Sequence, residues 1–223
     1  MLSIWERTAF GGKYGLAVVG AGITGLFTAL HYKRSHPRAR VLVLERGPHP
    51  SGASVKNAGF ACFGSPSELL RDMDEIGEQA ALHRMDERWR GLQELRRTLG
   101  DGEIGFEPVG GYEVFHGDDA LYTRVADGFD RLNAALRSAF GQDVFTWADD
   151  RIAGQGLRAA HLCWNQLEGA VDSGKLVRTL LHRVQAEGVD MQFNSTVDNW
   201  EDGREGVGVR TCNGAVFYAD RMV

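Results

Sequence analysis

The fold of this chain is decided by the stretch Gly15-Leu16-Ala17-Val18-Val19-Gly20-Ala21-Gly22-Ile23-Thr24-Gly25. A short apolar run leads into the spacing G-x-G-x-x-G, and apolar residues with helical spacing follow it. The first glycine permits a tight turn, the second lets backbone approach a pyrophosphate, and the third lets helix and strand pack closely. The helix N-terminus adds amide donors and a partial positive charge. The stretch therefore predicts a dinucleotide-binding turn with the ligand-binding residues Gly20, Ala21, Gly22, Ile23, Thr24 and Gly25.

An acidic residue follows the next apolar run. Val41–Leu44 is apolar throughout, which is typical of a parallel strand covered on both faces, and Glu45 comes next. An acid about twenty residues beyond such glycines is positioned to accept hydrogen bonds from the ribose of an adenosine. It would repel a ribose phosphate, which disfavours NADP and leaves FAD and NAD open. The strand, helix and strand together make one βαβ unit, so a chance surface acid is the weaker interpretation.

Composition and charge narrow the classes of partner. A formal net charge of −5 gives no basic surface overall, which disfavours binding to nucleic acid or to an anionic membrane. The most apolar stretch, residues 16–30, is interrupted by glycines and is shorter than the ~20 residues that cross a bilayer. A small-molecule partner fits this composition better.

Cysteines and histidines give no metal or disulfide signal. The three cysteines are widely spaced and form no CxxC pair, so neither a disulfide framework nor a zinc site is predicted. The seven histidines show no ligand spacing, and we predict no metal. The N-terminus has no basic start followed by an apolar run, so we expect a cytoplasmic location.

Apolar periodicity and turn residues predict the remaining elements. A long loop is expected over residues 46–64. Helices are expected from the cap Ser65-Pro66, along an apolar stripe that ends at Gly100, over residues 118–140 before Gly141, and from Ser173 to Gly188. Strands are expected over residues 15–19, 104–106, 111–115, 159–166 and 190–197, with a hairpin of residues 207–210 and 216–218.

Three short segments resemble the FAD-dependent oxidoreductases related to D-amino-acid oxidase, glycine oxidase and sarcosine oxidase. They are Glu45-Arg46-Gly47, Ser51-Gly52-Ala53-Ser54 and Lys56-Asn57-Ala58-Gly59-Phe60. The resemblance implies FAD as the cofactor, with pyrophosphate contacts from the segment Gly52, Ala53 and Ser54. Arg46 is also expected to bind the cofactor. It places Asn57, Ala58, Gly59 and Phe60 beside the isoalloxazine ring. Small residues suit both roles because backbone amides can then crowd the ligand. The alternative is a flexible surface loop, which does not explain the apolar residues 60–63.

The resemblance extends along most of the chain. Gly110-Gly111-Tyr112 matches the start of a substrate-lobe strand, Glu168-Gly169-Ala170-Val171-Asp172 matches the lead into a flavin-domain helix, and Val197 matches a valine whose backbone holds adenine. The implied fold class is α/β. A Rossmann-like FAD-binding domain (βαβ, parallel sheet and β-hairpin or meander) is expected over residues 1–64 and 166–223, with an inserted α+β substrate lobe over 65–165. Family members continue beyond the last strand, so we expect the fold to be incomplete at the C-terminus.

The implied activity is oxidation of an amine or amino acid by hydride transfer to the flavin. No catalytic residue is assigned, since most substrate contacts of the family lie beyond this chain. Tyr112 is a candidate wall of the substrate pocket, and Cys62 is interpreted as a small buried apolar residue. Two alternatives stay open: an NAD-dependent dehydrogenase, and a truncated or degenerate flavoprotein fragment that binds nucleotide or a partner. A sheet left uncovered would also favour self-association.

Overall fold

The structure is a computed structural model that describes residues 3–5, 11–117 and 119–223. Its contacts divide the chain into two compact units. The first contains Met1–Asn57 and Ser173–Val223, and the second contains Ala58–Asp172. The expected domain boundaries at 64/65 and 165/166 differ from these limits by several residues, and the assignment of residues 58–64 and 166–172 to the cofactor domain stays a prediction.

The first unit is built on the predicted βαβ unit. Strand β1 (Leu16–Val19) leads into helix α1 (Ile23–Ser35) and strand β2 (Val41–Leu44). β1 and β2 are parallel, with Leu16 opposite Val41 and Val19 opposite Leu44. Strand β8 (Asp190–Gln192), which follows helix α7 (Ser173–Ala186), pairs with the other edge of β2, also in parallel. β2 is therefore central, and all four of its residues are buried.

A meander and the C-terminal residues complete this unit. Strands β9 (Val197–Gly203), β10 (Gly206–Thr211) and β11 (Val216–Ala219) form an antiparallel sheet in the order β11-β10-β9. Residues 221–223 then lie along the free edge of β1, where Ala17 N–H donates to Arg221 O at 2.9 Å and Val223 N–H donates to Ala17 O at 3.0 Å. One apolar core joins the two sheets and contains Tyr14, Ala17, Leu42, Leu44, Val207, Val209 and Ala219.

The second unit begins with helices whose ends follow the predicted caps. Helix α2 (Pro66–Ile76) starts after Ser65, whose hydroxyl accepts from Glu68 N–H. Helix α3 (Glu78–Leu99) ends at Gly100, and helix α5 (Ala120–Phe140) ends at Gly141; both glycines have positive φ. Asp119 caps α5 by accepting from Leu121 N–H, and its neighbour at position 118 lies outside the described residues.

The long helices of the second unit pack against one face of its antiparallel sheet. Strands β4 (Gly111–Phe115), β5 (Phe145–Trp147) and β6 (His161–Asn165) are antiparallel in the order β4-β6-β5. Their inward side chains pack with those of the helices in a core that includes Leu69, Met85, Phe115, Leu132, Phe145 and Cys163. A 3-10 turn (Asp149–Arg151) and helix α6 (Ile152–Gln155) connect β5 to β6. A separate two-stranded pair joins β3 (Phe60–Ala61) to β7 (Gly169–Ala170).

Three local expectations are wrong. Residues 104–106 are not a strand: helix α4 (Asp101–Ile104) ends at Gly105, which adopts φ 60. The expected strand 190–197 stops at Gln192, because Asn194 takes the left-handed conformation and its N–H donates to Gly47 O. The long loop 46–64 contains strand β3.

The described residues contain neither a membrane-spanning helix nor a cluster of metal-ligating side chains. None of the described helices is long and apolar enough to cross a bilayer. No group of three or more acidic, histidine or cysteine side chains in the described ranges is arranged to hold a metal ion.

Candidate cofactor site

The glycine turn connects β1 to α1, and two of its glycines meet distinct steric demands. Gly20 has φ +103, a conformation that side chains disfavour, and the space where its Cβ would stand is open. A Cβ on Gly25 would lie 2.1 Å from the carbonyl oxygen of Gly20. The third glycine of the motif is therefore required by the close approach of the turn to the helix. Gly22, at the helix N-cap, has the ordinary values φ −73 and ψ 175.

Glu45 is a buried carboxylate held by the turn. Its side chain is at the carboxyl end of β2 and the residue is 7% exposed. Oε2 accepts from Ala21 N–H at 2.9 Å, and Oε1 accepts from Gly47 N–H at 2.9 Å. The backbone of Glu45 is fixed as well, because its N–H donates to Gln192 O and its carbonyl accepts from Ser195 N–H. Each carboxylate oxygen has a further lone pair, so both can accept from the hydroxyls of a ribose.

Ser54 connects the downstream loop to the helix N-terminus. Its Oγ accepts from Ile23 N–H at 3.0 Å, which satisfies one of the amides that a helix start leaves without a partner. A hydroxyl that accepts one hydrogen bond still has its own hydrogen to donate, and a phosphate oxygen is a suitable acceptor. A Cβ on Gly22 would stand 3.0 Å from this Oγ. Glycine at this position therefore keeps the hydroxyl close to the turn.

The rest of the loop is folded on itself by short turns. Val55 N–H donates to Gly52 O, and Lys56 N–H donates to Ala53 O. Asn57 Nδ2 donates to the carbonyl oxygens of Ala53 and Ser54 at 3.0 and 3.1 Å. Its Oδ1 accepts from Ser173 Oγ at 2.6 Å, which ties the loop to the start of α7. The structure thus orders the segment that the sequence analysis assigns to the pyrophosphate.

The remaining residues predicted in this unit are less constrained. Arg46 is exposed, and so are Gly52 and Ala53. Val197 is the first residue of β9 and lies opposite Thr211, next to an irregularity in the β9–β10 register. Hydrogen bonds therefore bring Glu45 and Ser54 to the glycine turn, whereas the described contacts do not connect Arg46 or Val197 with it.

Ala58, Gly59 and Phe60 lie in the second unit, beside β7. Gly59 has φ +73, and a Cβ there would stand 2.4 Å from Val171 O. Its carbonyl oxygen accepts from Val171 N–H at 2.8 Å. Ala58 is exposed, and Phe60 is 77% exposed. Burial in the core therefore explains the apolar residues Ala61 and Phe63 but not Phe60. Glycine is required at position 59 because its segment passes very close to the backbone of Val171.

The interpretation of Cys62 as a small buried apolar residue is wrong, because the residue is exposed. The pKa of its thiol is nevertheless raised, first by partial desolvation and then by the negative charges of Glu168 and Glu68. A raised pKa disfavours the reactive thiolate. Desolvation and the two carboxylates therefore outweigh Arg88, whose positive charge lowers the pKa and would favour a reactive thiolate.

Glu168 is a buried carboxyl whose importance the sequence did not reveal. The residue is 9% exposed, and Oε1 accepts from Phe63 N–H at 3.2 Å. Its Oε2 lies so close to Gly111 that a Cβ there would stand 2.3 Å from it. Burial raises the pKa of Glu168 to about 7, although the amides of Phe63 and Gly64 favour the ionised form. The carboxyl thus links the residues after β3 to the start of β4. In the sequence, the pair Gly110-Gly111 indicates that another group packs closely against this segment.

The residues of the first unit fit the ADP half of FAD. The space beside Gly20 is open, so a diphosphate can approach the backbone there. The Ser54 hydroxyl, which lies at the first helical amide, can donate to a phosphate. The Glu45 carboxylate can accept from a ribose. Among the described residues, no protein acceptor meets the amides of Thr24 and Gly25. These helix-start donors can bind an anion.

Known structures share this fold. Glycine oxidase from Geobacillus kaustophilus aligns over 94% of this chain and 54% of its own length, with 23% identity and a TM-score of 0.62. Glycine oxidase from Bacillus cereus aligns over 94% and 56%, with 20% identity and a TM-score of 0.64. L-amino acid deaminase from Proteus vulgaris aligns over 94% and 46%, with 19% identity and a TM-score of 0.65. The chain spans about half the length of these structures.

The family is established by sequence. No curated protein matches the chain. The profile of the DAO family, described as FAD dependent oxidoreductase, matches residues 16–223. The match favours FAD over the NAD that the glycine turn alone left open. The chain therefore belongs to the DAO family of FAD-dependent oxidoreductases.

Proposed function

We propose that this chain forms the cofactor-binding part of an oxidoreductase that oxidises a small amine or amino acid. The observation that carries the proposal is the Glu45 carboxylate, buried and bound to the Ala21 amide within the glycine turn of a chain of this family. Burying a carboxylate costs free energy unless its oxygens have hydrogen-bond partners. The two backbone donors of Glu45 leave further lone pairs on both oxygens that a ligand can use. Ribose recognition supplies that function.

Each part of the site has a proposed role. The turn and the start of α1 bind the pyrophosphate through backbone amides, Ser54 donates to it, and Glu45 accepts from the ribose. Arg46, Gly52 and Ala53 line the phosphates, and the backbone of Val197 contacts adenine. The residues proposed beside the ring are Asn57, Ala58, Gly59 and Phe60. When bound, FAD supplies the acceptor for the hydride that leaves the substrate's α-carbon.

The substrate class is supported by the proteins that share the fold. Two of them are glycine oxidases and one is an L-amino acid deaminase. In such chemistry the protein orients the substrate carbon and keeps its amine neutral, so no nucleophile or catalytic triad is required. We assign no catalytic residue. The proposed partner is a small molecule, and the proposed location is the cytoplasm.

The absorption spectrum of the purified protein tests the cofactor. We expect oxidised-flavin bands in the protein as isolated or after incubation with FAD. The bands should be absent from a matched preparation of the Gly22→Val variant. A wild-type protein that is colourless and that FAD does not reconstitute would favour a second candidate, a fragment that binds nucleotide or a protein partner only. The span of about half of the related structures is the observation behind that alternative.

Anaerobic reduction tests the substrate class. A panel of amino acids, N-methyl amino acids and polyamines is added to the flavinated protein, and the flavin band is followed. Bleaching by at least one amine is expected. Reduction by a hydroxy acid or NADH, with no response to any amine, would overturn the proposed substrate class.

A further inference from the structure

The side-chain amide of Asn57 is committed to contacts within the first unit. Its Nδ2 donates to the carbonyl oxygens of Ala53 and Ser54 at 3.0 and 3.1 Å. Its Oδ1 accepts from the hydroxyl of Ser173, the first residue of α7, at 2.6 Å. An amide nitrogen has two hydrogens, and here two carbonyl oxygens accept them. The Asn57 side chain therefore has no N–H left to donate to a flavin ring.

These bonds set the direction in which the loop presents its polar groups. In a trans peptide, the carbonyl of one residue and the amide of the next point in opposite directions. The Ala53 carbonyl faces Asn57, so the Ser54 amide points away from Asn57. Among the described residues, no protein acceptor meets that amide. Ser54 therefore has two donors for an anion, its amide and its hydroxyl.

The same bonds hold Ser54 at the start of α1. Ser54 Oγ accepts from the amide of Ile23, the first residue of that helix, at 3.0 Å. A chain of hydrogen bonds thus runs from Ser173 through Asn57 and Ser54 to Ile23. Without the Asn57 amide, the carbonyls of Ala53 and Ser54 would be free to turn. A carbonyl oxygen turned toward a phosphate would repel it, because both carry negative charge.

We propose that Asn57 is a positioning residue for the pyrophosphate of the cofactor. Its side chain holds Ser54 against the start of α1 and keeps the carbonyls of the loop turned away from the phosphates. This role rests on the proposed function, because the pyrophosphate belongs to the proposed FAD. It also replaces a side-chain contact with the isoalloxazine ring, beside which the resemblance places Asn57. The hold on Ser54 can be measured without any ligand.

Hydrogen exchange of backbone amides, followed by NMR in the ligand-free 223-residue chain, tests the hold on Ser54. Asn57→Ala should raise the exchange rate of the Ile23 amide about tenfold, toward the rate in Ser54→Ala, which removes the acceptor itself. The Leu26 amide donates to Gly22 O at 2.9 Å and should keep its rate. Asn199→Ala, on β9 of the same unit, is the matched control and should change neither rate.

Titrations with ADP and adenosine test the phosphate half of the proposal. Asn57→Ala should weaken ADP about tenfold and leave adenosine unchanged, because adenosine has no phosphate. Ser173→Ala, which removes the donor to Asn57 Oδ1, should weaken ADP by a smaller factor. Asn199→Ala should bind both ligands like wild type.

The possible failures can be told apart. An Ile23 rate that stays at the wild-type value in Asn57→Ala, or an equal acceleration of Leu26, overturns the hold on Ser54. Unchanged ADP affinity in Asn57→Ala, or equal losses for ADP and adenosine, overturns the phosphate half. A wild-type chain that binds neither ADP nor FAD overturns the proposed function together with that phosphate half, whatever the Ile23 exchange rates are.

Discussion

The Oε2 atom of Glu45 lies 2.9 Å from the amide nitrogen of Ala21, so the acid that ends β2 is bonded into the turn that begins α1. The ribose-binding and phosphate-binding parts of the proposed site are thus one hydrogen-bonded structure. A change at Glu45 acts on both ligand affinity and the stability of the turn, and the two effects can be separated by measurement.

Replacing Glu45 tests its assignment to the ribose. Glu45→Ala should weaken FAD or ADP by about 1.5–3 kcal/mol, the range for hydrogen bonds to a charged group. It should also lower the free energy of unfolding by about 1–3 kcal/mol, because the buried Ala21 amide loses its acceptor. Calorimetry with ADP and urea denaturation of the ligand-free protein measure the two quantities. FMN, which lacks the adenosine, is the control ligand, and equal losses for FAD and FMN would refute the assignment.

Gly22 and Gly25 should respond to substitution in opposite ways. Gly22 has backbone angles that any residue adopts, so Gly22→Val should fold. Its side chain would displace the Ser54 hydroxyl and occupy the path of the pyrophosphate, so ADP and FAD affinity should fall below detection. Gly25→Ala should fail to fold, since its Cβ meets the Gly20 carbonyl at 2.1 Å.

Circular dichroism and calorimetry distinguish the two glycine variants. Ser54→Ala is a milder companion that removes only the hydroxyl and should weaken ADP while retaining the fold. Undiminished ADP affinity in Gly22→Val would remove the turn from the binding site.

Glu168 should make the protein less stable as the pH rises. The pKa of this carboxyl is about 7 in the folded chain, against 4.5 for an ordinary glutamate, because the group is buried. The folded state therefore binds the proton more tightly than the unfolded state does. The resulting stabilisation is complete below pH 4.5, decreases through the interval up to about pH 7 and is lost above it, with a size on the order of 3 kcal/mol.

Denaturation of wild type and Glu168→Gln at pH 5 and pH 8 measures this contribution. The variant resembles the protonated acid, so its unfolding free energy should change less between the two pH values than that of wild type. Glu107→Gln, at an exposed glutamate of the same unit, should behave like wild type. If Glu168→Gln showed the same pH dependence as wild type, the carboxyl would titrate as an ordinary glutamate.

Cys62 should be accessible but slow to react. In a Cys212→Ser variant, the exposed thiol of Cys62 should react with a disulfide reagent at pH 7.5 more slowly than a cysteine peptide, because its raised pKa reduces the thiolate. Adding Glu168→Gln should increase the rate by removing a nearby negative charge. Cys163, buried with a pKa of about 12, should react only on unfolding. A Cys62 rate above that of the peptide would reopen a redox function.

Much of the local structure could be predicted because it depends on residues that are close together in the sequence. The glycine turn, the apolar strand before Glu45 and the caps at Ser65 and Gly100 each depend on neighbours a few residues away. Strands β5 and β9 were missed, since β5 is three residues long and β9 carries mostly polar and exposed residues. Their pairing with β6 and β10 is what makes them strands.

The sequence by itself determined the βαβ unit, the position of Glu45 at the end of β2 and the family, since these depend on residue type and spacing. Only the tertiary structure decided which distant groups meet. Ser54 reaches the amide of Ile23 across 31 positions, and Glu168 reaches that of Phe63 across 105. Such contacts leave no periodic pattern in the chain, because they arise from the packing of separate elements.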